Sequence, residues 1–320
     1  MRCIFLFFIF FKSLLFSLEY PNKPIEFVVG LGEGGSSDRM TRNMAVLLEE
    51  ELGVTINVIN IKGNSSLDAA KYVLNQKPNG YTVFSSAFSP HFLNEIISKN
   101  AKFYLDQFEI INLQWFDFES IIVDKSSSFN SIMQVIEHIK NSPEKLNIGV
   151  INKSSGHLII KLLLEKFNIN FEKINLKLYK GGEKARKALF DSKVDLLIIA
   201  AQGNEKYRER IKPLTIMSPH RSKRWDAPTL NEAIKRSGIV MPLISGSIRG
   251  MAVPKEFKQK YPNRFKILKK AIQKTLAKKS VHRYLKRKNI GYTWIGSQTS
   301  TEILKNSLED FEKYNYLIKD

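Results

Sequence analysis

Cysteine is all but absent from this 320-residue chain: the one thiol, Cys3, sits just ahead of an apolar run near the N-terminus. A mature chain trimmed after that run has none, which excludes disulfides, thiol nucleophiles and cysteine-ligated metals together. Acidic side chains are also scarce, 31 against 50 basic ones, for a net charge of +19. Such a balance suits nucleic acid, an anionic surface or a small anion. The lysines argue against the first, being spread over most helical stretches and densest at 255–288. Zinc-finger spacing and an aromatic RNA-binding signature are both missing, so no nucleic-acid partner is expected. Missing too are a Gly-x-Ser-x-Gly elbow and a His-Glu-x-x-His zinc site. A secreted hydrolase built on the five histidines therefore stands only as a rival reading. The longest apolar segment, 4–11 continued by 14–18, is about 15 residues, short of the roughly 20 that span a bilayer. With Arg2 and Lys12 beside it, the segment reads as a secretory signal peptide, residues 1–17, cut near Ser17 or Leu18. The rival is an uncut N-terminal anchor.

What is present is alternation. Strands are expected at 25–30, 55–61, 81–85, 146–151, 175–179 and 194–200, with helices between them. The 38–52 helix places Met40, Met44, Leu47, Leu48 and Leu52 on one face. Ser131 and Gln134 form a capping box for a helix to Lys140, and Thr299 and Glu302 another for a helix to about Tyr316. Strands alternating with helices imply βαβ units and largely parallel sheets, an α/β fold. About 300 mature residues suit two such domains.

Three strand-to-helix junctions carry the candidate chemistry. The first holds Gly34, Gly35, Ser36, Ser37 and Asp38; the second holds Ser154, Ser155, Gly156 and His157. A third, with Ser86 and Ala87, is read as a loop at 85–89. Ligands of open α/β sheets bind outside the carboxyl ends of the strands, where helix N-termini offer unpaired N–H groups to anions. Gly30-x-Gly32-x-x-Gly35 also fits the dinucleotide fingerprint, but the second strand ends Val58-Ile59-Asn60 with no acid for a ribose. A phosphate-binding P-loop fails because Ser36 stands where lysine is needed. His157, in a first helical turn, is expected to be a neutral capping group, and Trp115, Trp225 and Trp294 core or hinge packing.

Beside these readings, the chain resembles the solute-binding proteins of tripartite tricarboxylate transporters, the Bug receptors. Tyr20-Pro21-Asn22-Lys23-Pro24-Ile25, Gly34-Gly35-Ser36-Ser37-Asp38, Pro78-Asn79-Gly80-Tyr81-Thr82 and Ser154-Ser155-Gly156-His157-Leu158 carry the likeness. Tyr179-Lys180-Gly181-Gly182, Val194-Asp195 and Ala227-Pro228-Thr229-Leu230-Asn231-Glu232-Ala233 continue it in order. The resemblance implies a type II periplasmic binding protein, with two α/β domains, a ligand cleft and two hinge crossovers. Domain one would hold 18–123 plus 246–320, and domain two 124–245. It implies a monomer without cofactor or catalysis that captures a di- or tricarboxylate or related organic acid for membrane permease subunits. An orphan sensing receptor is the alternative. The ligand would lie between the first two loops, with the Ser85–His91 loop, including Ser86 and Ala87, and Asp195 nearby. Departures from the family pattern are Glu33 in the first loop, Lys62-Gly63-Asn64-Ser65-Ser66 after the second strand, and Ser86-Ala87-Phe88 in the third. An acid at the lip of an anion site is unexpected unless it points away or meets a ligand amine.

Overall fold

The computed structural model describes residues 20–318 apart from Lys223; the expected signal peptide, 1–17, lies outside the described residues. The first half runs β1 (Ile25–Val29), α1 (Ser36–Leu52), β2 (Ile56–Asn60), α2 (Leu67–Asn75), β3 (Thr82–Ser89), α3 (His91–Ser98), α4 (Phe103–Asp106) and β4 (Phe108–Asp117). It continues with β5 (Glu119–Asp124), α5 (Ile132–Asn141), β6 (Asn147–Ile151), α6 (Ser155–Lys166), β7 (Asn175–Tyr179), α7 (Gly182–Phe190) and β8 (Leu196–Ala200). A 3-10 stretch (Ala201–Arg210) leads to β9 (Ile211–Ile216), α8 (Leu230–Ile234) and β10 (Ser247–Pro254). Four helices close the chain: α9 (Lys255–Lys260), α10 (Pro262–Ala277), α11 (Lys279–Arg287) and α12 (Gly296–Tyr314).

The strands form two five-stranded sheets, ordered β2-β1-β3-β10-β4 and β7-β6-β8-β5-β9. Where largely parallel sheets were expected, each is evenly mixed: β10 opposes both its neighbours, and so does β5. The connectivity explains it. The chain leaves the first sheet along β4, enters the second along β5, and returns along β10, which lies antiparallel to β4 with Ser247 opposite Asp117. β5, which the expected division placed with the first domain, hydrogen-bonds in the second sheet.

Amphipathic periodicity builds the cores. Met40, Met44 and Leu48 of α1 are fully buried, with Leu47 and Leu52 packed at the margin of the same cluster. Each such side chain contributes about 1.5–3 kcal/mol. A second, larger apolar cluster runs from Val28 and Phe84 through Leu113, Ile121 and Ile248 to Leu158 and Ile198, so the two halves share a core behind the crossing strands. Ser131 caps α5 as expected, accepting from the Gln134 N–H at 3.2 Å, while Gln134 Oε1 accepts from the Asn130 N–H at 2.7 Å. The expected cap at Thr299 is instead the interior of α12. Asn112 Oδ1 accepts the Ile295 and Gly296 N–H groups at 2.9 and 3.1 Å, so a tertiary contact starts the helix ahead of the local signal.

At the start of α6 a Cβ on Gly156 would lie 2.6 Å from the Ile198 carbonyl oxygen. Gly156→Ala is therefore expected to cost about 1–3 kcal/mol through overpacking. Thermal unfolding checks it, and an unchanged Tm would contradict this close helix-on-strand contact.

Candidate functional site

Between the two sheets, at the crossing strands, lies a cleft of about 660 Å³. The N-terminal turn of α1 forms one wall. Gly34, at φ +73°, takes a left-handed turn that costs glycine little, and its N–H donates to Asp38 Oδ2 at 2.9 Å. Gly35 is the N-cap, and α1 begins at Ser36, two residues earlier than expected. Gly34, Gly35 and Ser36 line the cleft. Ser37 and Asp38 do not; both are buried behind the turn. Asp38 is a latch: it accepts from Arg42 Nε at 2.9 Å and from Asn60 Nδ2 at 3.0 Å. Burial resists its ionisation, but Arg42, the Gly34 N–H and Asn60 outweigh that and hold its carboxyl below the usual range. Glu33 is exposed and is not part of the cleft wall.

The opposite wall includes Ser154, the N-cap of α6, whose hydroxyl accepts the His157 N–H at 3.2 Å. Ser155 turns away and donates to the Ser245 carbonyl at 2.7 Å, tying α6 to the returning segment. Gly156 packs against β8. His157 is buried and its Nδ1 accepts the Lys153 N–H at 3.3 Å, a capping role as expected.

The third junction is not a loop. Ser86 and Ala87 lie within β3, which extends to Ser89 because it gains β10 as a partner. Both are buried away from the cleft, with the Ser86 hydroxyl 2.9 Å from that of Ser66. Pro90 and His91, at the end of the Ser85–His91 segment the resemblance pointed to, do reach the cleft wall. Asp195 is at the far end of the second sheet, where its Oδ2 accepts the Asn147 N–H at 2.8 Å. It precedes β8, whose other end, Ile199 and Ala200, lines the cleft, about 15 Å along the strand.

The cleft's charged residues lie outside all three expected loops. Trp115, Asp117 and Glu119 alternate along the first crossing, and Ser247 and Arg249 along the second, so the two-residue period of extended chain puts all five on the cleft side. Arg249, only 6% exposed, lies over the Trp115 ring at 4.4 Å from its centroid and donates from Nε to Ser36 Oγ at 2.7 Å. Trp115, expected as core or hinge packing, is thus also a wall of the cleft, and its Nε1 donates to Gln202. Arg186, on α7, donates from Nε to Asn204 Oδ1 at 2.6 Å. Asp117 accepts the Gln202 N–H at 3.0 Å. Glu119 is 5% exposed and accepts no side-chain hydrogen bond among the described residues.

Burial dominates the electrostatics. It pushes Glu119 up to about 8, reinforced by Asp117 and opposed by Arg249 and Arg186. Burial also raises Asp117 against the pull of Arg249. It lowers Arg249, which Asp117 pulls back up, and lowers His91, with Arg249 adding to the effect. Among the described residues, no group of three or more His, Cys, Asp or Glu is placed to hold a metal, and no helix is long and apolar enough to cross a membrane.

Comparison with known proteins agrees with this architecture. The model of the tripartite tricarboxylate transporter family receptor matches residues 40–320. A UPF0065 protein of Bordetella pertussis is 25% identical over 181 residues, 56% of this chain. The match takes in 55% of that relative, so the chain spans about half its length. A UPF0065 protein of Cupriavidus necator is 27% identical over 241 residues, 74% of this chain and 70% of that one. A solved TctC solute-binding protein from Polaromonas superposes with a TM-score of 0.75 at 24% identity, covering 93% of this chain and 99% of its own. MatC from Rhodopseudomonas palustris, solved with bound malate, gives 0.69 at 18% identity over 94% and 100%. An R. palustris protein solved with adipate gives 0.71 at 20% identity over 94% and 98%.

Proposed function

The chain belongs to the tripartite tricarboxylate transporter receptor family, and from that premise we propose that it binds a small organic carboxylate in the central cleft. The carrying observation is the Arg249 guanidinium, buried over Trp115 and aimed by Ser36, between the N-terminal turns of α1 and α6. Oriented N–H groups, hydroxyls and a guanidinium are strong donors to a carboxylate. The malate- and adipate-bound relatives support that ligand class. The lobes are taken as 20–118 plus 246–318 and 119–245, closing about the two crossings. Closure follows when ligand binds the closed state better than the open one. The protein is read as a periplasmic monomer, exported by residues 1–17, that hands its ligand to membrane permease subunits and catalyses nothing.

Binding to the folded state alone raises stability by RT ln(1 + [L]/Kd). A small carboxylate is therefore expected to raise the Tm of the purified protein. Ser36→Ala and Ser154→Ala are each expected to weaken that ligand about tenfold, the loss of one hydrogen bond to a charged group or its anchor. A panel of di- and tricarboxylates, amino acids and aromatic acids that leaves Tm unmoved would overturn the receptor reading. Unchanged affinity in both variants would move the site elsewhere.

A further inference from the structure

Four acidic residues line the cleft beside its cations, and they are not equivalent. Glu183 accepts the Tyr207 hydroxyl at 2.8 Å and lies 3.5 Å from Lys206 Nζ. Glu205 accepts from Arg208 Nε at 2.9 Å and from Arg224. Both are satisfied within the protein. Asp117 is half satisfied, by the Gln202 N–H on Oδ1. The Glu119 carboxylate accepts no hydrogen bond among the described residues, although the residue is more than nine-tenths buried and lines the cavity. Arg249 and Arg186 do not pair with either acid within 4.0 Å; their Nε atoms are engaged by Ser36 and Asn204. A buried ionisable group left without a partner is costly, and one that opens on a binding cavity finds its partner in the ligand.

The positions set an order across the cleft. Arg249 and Ser36 lie against the N-terminal turn of α1, while Asp117 and Glu119 rise from the floor where the chain crosses between lobes. A ligand carrying only carboxylates satisfies the guanidinium but brings the Asp117 and Glu119 carboxyls no positive charge, whereas an ammonium group placed there favours their ionised forms. We infer that the ligand carries a cationic amine as well as a carboxylate, with the carboxylate at Arg249 and Ser36 and the amine at Glu119 and Asp117. The chemical class is a zwitterionic amino acid or amino-substituted acid. Glu119 and Asp117 are then the residues that select it against the corresponding simple acid. This deepens the receptor reading of the same cleft and rests on it.

Matched acids that differ by one ammonium group test it: L-glutamate against glutarate, L-phenylalanine against 3-phenylpropanoate, and 6-aminohexanoate against hexanoate. Titration calorimetry on the purified protein measures each. In at least one pair the amino acid is expected to bind at least tenfold more tightly than its partner. Glu119→Gln, which keeps the shape and removes the ionisable carboxyl, is expected to bring that ratio to near one. Asp117→Asn, checked in parallel by thermal unfolding, guards against a folding defect in the first variant. Simple acids that bind as tightly as their amino partners, or a preference that survives in both variants, would overturn the inference and leave the receptor reading intact. Binding of neither member of any pair would overturn the inference, and the receptor reading would fall with it only if the wider acid panel also left Tm unmoved.

Discussion

Arg249→Met is expected to lower the affinity for a carboxylate ligand about 100-fold or more, the most damaging single change in the cleft. The guanidinium is held by Trp115 beneath it and Ser36 on Nε, with the buried acids Asp117 and Glu119 in its field. Its remaining N–H groups are charged donors at the cavity wall, and two lost charge-assisted hydrogen bonds amount to about 3–6 kcal/mol. That corresponds to a factor of about 100 or more in Kd. Arg249→Lys separates charge from shape. It keeps the cation but loses the planar stack and the fixed fork, so an intermediate loss is expected. The methionine variant should also lose more Tm at pH 8 than at pH 5, since Arg249 favours the ionised carboxylate of Glu119 and that attraction matters only where the parent begins to release the Glu119 proton. Calorimetry and melting curves read both effects; a methionine variant that binds like the parent would remove Arg249 from the site.

The second large effect is on stability against pH. Glu119 has a folded-state pKa of about 8 against an ordinary 4.5. Between those values the native state holds a proton that the unfolded chain has released. The native state is thus favoured at low pH, and this contribution declines as pH rises through about 8. At roughly 1.4 kcal/mol per pKa unit, the full swing is on the order of a few kcal/mol. Asp117 acts in the same direction. Carboxyls held below the usual range, such as Asp38 and Glu205, act oppositely but below about pH 4.5, outside this window. His91, lowered by burial, opposes the trend near its own titration, so the difference between parent and Glu119→Gln is the informative quantity. The variant is expected to match the parent near pH 5 and to melt several degrees higher at pH 9 without ligand. Parallel melting curves across that range would show that Glu119 is not buried without a partner.

The α/β order and most helix faces were legible in the sequence because burial imposes a period. Met40, Met44 and Leu48 declare an inward face, and Ser131 with Gln134 declares a start. The first two candidate loops were legible for the same kind of reason, glycine and serine at helix N-termini, and Ser36 and Ser154 do reach the cleft. Their neighbours Ser37 and Ser155 do not, since successive residues of a helix point about 100° apart and one of each pair must face the protein. β3 ran past its expected end because β10, more than 150 residues later, supplied a partner. The charged floor went unread for a related reason. Trp115-Phe116-Asp117-Phe118-Glu119 and Ser247-Ile248-Arg249 each carry a strict alternation of cleft-facing and opposite-facing side chains. Yet only the tertiary pairing of the two crossings puts an arginine beside two acids. Charge inside an otherwise apolar strand was the available signal. Asp195, conversely, sits beside a strand of the right sheet but at its wrong end.

A crystal structure of the protein grown with the tightest-binding acid from the panel tests the central claim most directly. The expected result is a carboxylate hydrogen-bonded to Arg249 and Ser36, with Ser154 and the α6 N-terminus closing from the other lobe. A carboxylate seated anywhere else, with Arg249 still stacked on Trp115 and touching no ligand atom, would contradict the account.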